Sequence, residues 1–228
     1  MRTLYESILS DIKESLLSDI DDTLQSGDDE VMKLHILEQL HDLNLYYYNP
    51  YLSDDKIFNI FKNRGRWIVD VKGAITCYCT KDGELTDGTF KFGSIDGSFN
   101  VFREDDEDCP CASFKYGPTT VYGDLYITRC PKLKDLKGCP RIVLGDLTIN
   151  KTGLTTLKQF PITCKHLYLI ENKDLKTTKG ARRCDIKGCI TAVKNGFVSN
   201  IDVFKEIGWL KNYNAVHTFD DSKLAKYY

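Results

Sequence analysis

The phrase Val-x-Gly-Asp-Leu-x-Ile stands at residues 121–127 and again, 22 residues later, at 143–149. Looser copies are Val71-Gly73-Ile75-Cys77, Ile95-Gly97-Phe99-Val101 and Ile186-Gly188-Ile190-Ala192. A sixth, Thr163-Lys165-Leu167-Leu169, has Lys where the others have Gly. Their fifth-position residues, Ile75, Phe99, Leu125, Leu147, Leu167 and Ile190, are 24, 26, 22, 20 and 23 residues apart. A period of this size marks a solenoid, because one such unit has too little apolar surface to bury alone and must stack on its neighbours. Residues 121–150 therefore read as one full period, rung, return arm and next rung, rather than as a hairpin. The alternation predicts parallel strands with Leu125 beside Leu147 and Asp124 beside Asp146, about 5 Å apart.

Three residues past the last apolar strand position come Thr80, Glu104, Cys130, Thr152, Asn172 and Asn195. The leucine-rich-repeat pattern L-x-x-L-x-L-x-x-N/C-x-L has its Asn or Cys at this point. Such a side chain turns inward and satisfies backbone groups where the chain leaves the strand, since buried peptide groups need partners. Return arms follow, with Leu133/Leu136, Leu154/Leu157 and a degraded Leu175/Thr178; Cys139-Pro140 and Phe160-Pro161 stop them. Residues 102–118, "FREDDEDCPCASFKYGP", lack the Leu-x-x-Leu return.

The flanks read as caps. Leu4, Ile8, Ile12, Leu16, Ile20 and Leu24 form an apolar stripe at helical spacing, opened by a Thr3/Glu6 capping box. A second helix is expected from Asp28 or Asp29, with Val31, Leu34, Leu37 and Leu40 as its apolar face. A third, capped by Ser53, would carry Ile57, Ile60 and Phe61. Trp67 and these helices are expected to cover one end of the ladder. A helix over 199–212, with Val203, Phe204, Ile207 and Leu210, would cover the other. The expected fold is thus α+β. A short leucine-rich-repeat-like solenoid of parallel strands, about six rungs, occupies 66–198. An acidic helical arm over 1–65 precedes it, and a capping helix and tail over 199–228 closes it.

"GRWIVDVKGAI", "FKFGSIDGSFNVF" and "LKDLKGCPRIVLGDLTINKTGLTTL" together resemble degenerate leucine-rich-repeat-like proteins of tailed bacteriophages. The resemblance covers about 66–198, and 102–118 departs from it. The opening "RTLYESIL" resembles a short N-terminal phrase in proteins of phages of gut Bacteroidetes, the crAss-like phages among them. The resemblance implies an architecture and a phage origin more firmly than an activity.

Composition narrows the chemistry. Nine cysteines, with no signal-peptide pattern at the N-terminus, suit a reducing compartment. No apolar run approaches the roughly 18–20 residues that span a bilayer, so no membrane association is expected. Residues 1–62 carry a net charge of −8 and residues 63–228 a net of +6, with +9 within 129–187. This split reads first as solubility and mutual complementarity, and second as a sign of partners of opposite charge.

Cys77-x-Cys79 and Cys109-x-Cys111 invite a zinc reading, but paired zinc cysteines usually have two or more residues between them. They read instead as small buried side chains, and no metal or cofactor is expected. The acidic run 104–108 lacks the Gly turn and distal Glu of a calcium loop and reads as solvated. Asp124 and Asp146 read as a solvated pair at an edge. His35 and His41 read as surface or helix-edge residues. No nucleophile elbow, P-loop, dinucleotide fingerprint or zincin motif occurs. His166 neighbours Asp146 in the register, yet no nucleophile clearly completes a triad, and the chain reads as non-enzymatic.

The alternation names a face. Tyr78, Phe102, Asp124, Tyr126, Asp146, Thr148, His166, Tyr168 and Ile170 project from the open side of the ladder. Aromatics among polar neighbours are typical material for protein binding, unless the N-terminal helices fold back over them. The first helix, through Leu4, Ile8, Ile12 and Leu16, is a second candidate for docking into a partner's groove. The expected function is a phage protein–protein interaction module. It would be either virion-associated or a binder of a host factor, located in the host-cell cytoplasm or the virion. The alternative is nucleic-acid binding through the basic 129–187 surface.

Overall fold

The computed structural model describes residues 27–42, 57–103, 107–181, 184–196 and 216–217. The expected first helix and the expected C-terminal helix lie outside these residues.

The helix α1 (Gly27–Asp42) starts where the acidic pair predicts. Its apolar face differs from the expected one. Ile36 and Leu40 are buried, while Val31 and Leu37 are 53% and 41% exposed. The buried pair, Ile36 and Leu40, is one i, i+4 step with the half-buried Met32 a turn before it, whereas the expected set followed the i+3 row and shares only Leu40 with the buried pair. Both rows are apolar in this short helix, so periodicity alone does not choose between them. His35 lies on the exposed side and meets Gln39, Nε2 to Nε2, at 2.9 Å.

The third expected helix is a strand. β1 (Ile57–Asn63) pairs antiparallel with β2 (Arg66–Lys72), from Asn63 opposite Arg66 to Ile57 opposite Lys72. The connection is Arg64-Gly65, with φ of 50° and 75°. Two left-handed residues in a two-residue loop are what a type I′ hairpin requires. Ile and Phe at 57, 58, 60 and 61 suit a strand as well as a helix, and the turn decides between them. Across the hairpin, Lys62 Nζ sits 4.8 Å from the centre of the Trp67 ring.

From β2 onward the chain is a parallel-strand β-solenoid. Each repeat contributes one strand to each of two sheets. The first sheet holds β2, β4 (Phe90–Asp96), β6 (Thr120–Val121), β8 (Ile142–Val143), β10 (Thr163–Cys164) and β12 (Asp185–Ile186), with β1 on its outer edge. The second holds β3 (Ile75–Cys77), β5 (Phe99–Val101), β7 (Leu125–Thr128), β9 (Leu147–Asn150), β11 (Leu167–Ile170) and β13 (Ile190–Val193). β14 (Val216–His217) adds a parallel strand beside β13. Leu125 lies opposite Leu147, which lies opposite Leu167. Ile75, Phe99, Leu125, Leu147, Leu167 and Ile190 are all buried. So are Val71, Ile95, Val121, Val143, Cys164 and Ile186 of the first sheet. Phe92 and Phe99 join the two sheets, with ring centres 5.6 Å apart.

Glycines make the corner between the sheets. Gly123 N–H donates to Gly97 C=O at 2.9 Å, and Gly145 N–H to Gly123 C=O at 3.0 Å. A Cβ on Gly123 would lie 2.6 Å from the carbonyl carbon of Gly97. The rungs approach too closely here for any side chain. At the fifth corner Lys165 takes the place and donates to Gly145 C=O at 2.8 Å. That corner is one residue shorter than expected. Cys164, rather than Thr163, enters the buried column and pairs opposite Ile186.

The second corner uses left-handed residues: Arg129, Lys151, Glu171 and Lys194 have φ of 52–53°. The residue after each turns inward. Asn172 is fully buried. Its Oδ1 accepts from Thr152 N–H at 3.0 Å and from the Thr152 hydroxyl at 2.7 Å. Its Nδ2 donates to Ile149 C=O at 2.9 Å. Asn195 Nδ2 likewise donates to Leu169 C=O at 2.8 Å, and Cys130 Sγ to Val101 C=O at 3.7 Å. These side chains carry the backbone bonding round a bend that a strand ladder cannot follow.

Candidate interaction face

The inward residues of the second sheet form the core, so the alternate residues stack outward in columns. One column is Thr76, Asn100, Tyr126, Thr148, Tyr168 and Thr191, of which Thr76 is fully buried and the others half-buried. A second is Thr128, Asn150, Ile170 and Val193. A third stands at the corner: Ser98, Asp124, Asp146, His166 and Cys189. The backbone carbonyl of each of these accepts an N–H from the preceding rung. The structure thus gathers Asp124, Tyr126, Asp146, Thr148, His166, Tyr168 and Ile170 on one face, all half-buried. Tyr78 and Phe102 stand one residue beyond the ends of β3 and β5, off the paired ladder. Leu4, Ile8, Ile12 and Leu16 lie outside the described residues.

Tyr126 and Tyr168 share a column with Thr148 between them. That sets the rings two strand spacings apart, about 10 Å. Tyr126 donates its hydroxyl hydrogen to Asp124 Oδ2 at 3.2 Å. Burial, then the Asp124 carboxylate, pushes its phenol above the usual range. Burial, followed by Cys189 and Asp146, does the same for Tyr168.

The corner column is held from rung to rung. Ser98 Oγ accepts Asp124 N–H at 3.2 Å, and Asp124 Oδ1 accepts Asp146 N–H at 2.8 Å. His166 Nδ1 accepts Cys189 N–H at 2.8 Å. The series breaks at the short corner, where Asp146 Oδ1 is buried with no hydrogen-bond partner among the described residues. Asp124 is therefore a bonded element of the corner, where the sequence suggested a solvated edge. Cys189 Sγ also lies 3.0 Å from His166 Nδ1, a pairing that sequence reasoning passed over. The Nδ1 lone pair is already engaged by the Cys189 N–H, which leaves the ring proton on Nε2. The imidazole is thus occupied as a backbone acceptor rather than poised to deprotonate the thiol.

A second surface was not anticipated. Arg66, Lys91, Lys115 and Arg141 line a shallow cleft of about 380 Å³ around Tyr116. Lys115 Nζ lies 4.5 Å from the Tyr116 ring centre, and the Arg66 guanidinium 6.0 Å. These four cations are 25, 24 and 26 residues apart. They recur at the repeat period, which is the signal that could have found them. Their scatter through the sequence leaves no local basic run. The return-arm residues Lys132, Lys134, Lys137, Lys158, Lys173 and Lys176 are also exposed. Among the described residues no helix is long and apolar enough to cross a membrane. Compared with protein-family models, curated proteins and solved structures, the chain matches none of them.

Proposed function

We propose that the protein is a non-enzymatic interaction module that binds a protein partner through the open face of its second sheet. Tyr126, Thr148, Tyr168 and Ile170 supply the contact, and Asp124, Asp146 and His166 form its polar edge. The observation that carries this reading is the tyrosine column. It sets two large amphipathic rings at fixed spacing on strands whose other faces are locked in the core. Rigid aromatics among polar neighbours bind at low entropic cost. The inward Asn172 and Asn195 support reading the solenoid as leucine-rich-repeat-like, an architecture that presents extended binding surfaces. The phage resemblance makes a virion component or a host factor the proposed partner. The first helix, through Leu4, Ile8, Ile12 and Leu16, is proposed as an accessory docking element.

The basic cleft around Tyr116 favours a second reading, a phosphate-bearing partner such as a nucleic acid. The two separate by salt and by position. Affinity purification from the cells in which the protein naturally occurs supplies the partner for calorimetry. On the first reading, Tyr126→Ala and Tyr168→Ala each weaken binding by on the order of 2 kcal/mol with unchanged melting behaviour. On the second, those changes are silent, Lys115→Ala and Arg141→Ala weaken binding, and affinity falls steeply with salt.

A further inference from the structure

Four positive side chains from four consecutive rungs line one cleft along the first sheet. Arg66 opens β2, Lys91 lies in β4, Lys115 in the turn before β6, and Arg141 immediately before β8. These strands are neighbours in the sheet, so the four cations span about 15 Å at a strand spacing of about 5 Å. Among the described residues none of the four forms an ion pair. Glu84, whose charge reaches Lys115, accepts instead from the Ser113 hydroxyl at 3.3 Å. Like charges gathered without counter-charges repel one another, and a bound anion removes that repulsion.

The cleft is built on fixed backbone. Tyr116 C=O accepts Phe92 N–H at 2.9 Å, Gly117 N–H donates to Phe114 C=O at 2.8 Å, and Arg141 N–H donates to Thr119 C=O at 3.0 Å. Gly138, with φ of 86°, forms the wall where a Cβ would lie 2.5 Å from the Phe114 carbonyl oxygen. The Tyr116 ring centre lies 4.5 Å from Lys115 Nζ and 6.0 Å from the Arg66 guanidinium. Attraction to the ring keeps these two cations beside the opening.

We propose that this cleft binds a small ligand carrying a chain of two or more linked phosphates. The inference rests on the phosphate-binding reading of the cleft and narrows its ligand. Cations spread over several rungs match a row of negative groups better than a single one, and the Arg forks suit phosphate oxygens bidentately. Size argues against a long polymer. The cleft holds about 380 Å³, within the roughly 300–1,000 Å³ of small-ligand sites. The positive row also stops. Ile162 N–H donates to Arg141 C=O, and Asp185 N–H to Ile162 C=O. The next two rungs therefore put an exposed Ile and then an exposed Asp where Arg141 stands. A nucleic-acid strand running along the ladder would meet an apolar side chain and then a carboxylate. The open face of the second sheet is left to the protein partner.

The full chain is titrated by calorimetry at low ionic strength in metal-free buffer. The probes are inorganic tripolyphosphate, a nucleoside triphosphate, inorganic phosphate, hexaglutamate and a single-stranded oligonucleotide without terminal phosphates. Tripolyphosphate should saturate at one per chain, with inorganic phosphate at least about tenfold weaker. A nucleotide that binds more tightly than tripolyphosphate adds its base or sugar to the recognition; one that binds equally or less assigns it to the phosphate chain alone. Lys115→Ala and Arg141→Ala should each weaken tripolyphosphate by about tenfold, while Lys158→Ala, on a return arm, should not. All three side chains are exposed, and unchanged melting behaviour checks that each variant folds. No binding of tripolyphosphate, equal binding of hexaglutamate, or binding unmoved by the two cleft variants overturns the proposal. An oligonucleotide that binds more tightly than tripolyphosphate also overturns it but keeps the nucleic-acid reading of the cleft. Silence from both removes both.

Discussion

Asn172 shows how much one side chain carries in this architecture. It bonds the Thr152 N–H and hydroxyl, the Ile149 carbonyl and Asn195. Asn172→Ala removes partners from groups that have no access to water. It should lower stability by about 3 kcal/mol or more, read from the urea midpoint. The equivalent change at the exposed Thr155 should be near neutral. The inward role of this slot was legible because the polar residue recurs at a fixed distance from the last apolar residue of the strand. The corner acceptors were not, because Ser98, Asp124 and His166 share only a hydrogen-bonding capacity and no side-chain type. The tyrosines make a pH prediction. A phenol whose folded value is raised contributes stability that is fully present below its unfolded value, about 10. That stability is lost as pH rises through the folded value. Tyr126→Phe should therefore flatten the alkaline fall in melting temperature and remove a late transition from the ultraviolet titration.

The elements depend on corners more than on strands. β6, β8, β10 and β12 are two residues long, too short to hold a register by themselves. The stacked glycines fix where each rung turns. Gly123→Ala places a Cβ against the backbone of Gly97. It should cost about 1–3 kcal/mol, and chemical denaturation checks this. Leu147→Ala, in the middle of the Leu125–Leu147–Leu167 column, should cost about 2–5 kcal/mol. The misread elements have separate causes. Ile57–Asn63 has an apolar pattern that fits two periods, and only Arg64-Gly65 resolves it into a hairpin. At Cys164 the corner loses one residue while Lys165 and Leu167 keep their places, so the repeat spacing points to Thr163. In α1 two apolar rows compete, and burial chose the one through Ile36.

At the scale of the molecule the period was plain, but the number of sheets was not. The Val/Ile position of the repeat belongs to a separate first sheet, and strands of two residues leave no alternation to read. Two sheets joined at glycine corners hold the second sheet's open side to a fixed spacing of side chains. This side, rather than the basic cleft, is the proposed meeting place with the partner. It is tested most directly by placing a photo-crosslinking amino acid at Thr148, between the two tyrosines, and in a separate chain at Lys115 in the cleft. One dominant protein adduct is expected from position 148, lost when Tyr126 and Tyr168 are both changed to Ala, and none from position 115. Adducts from position 115 alone, or adducts removed by nuclease, would contradict it.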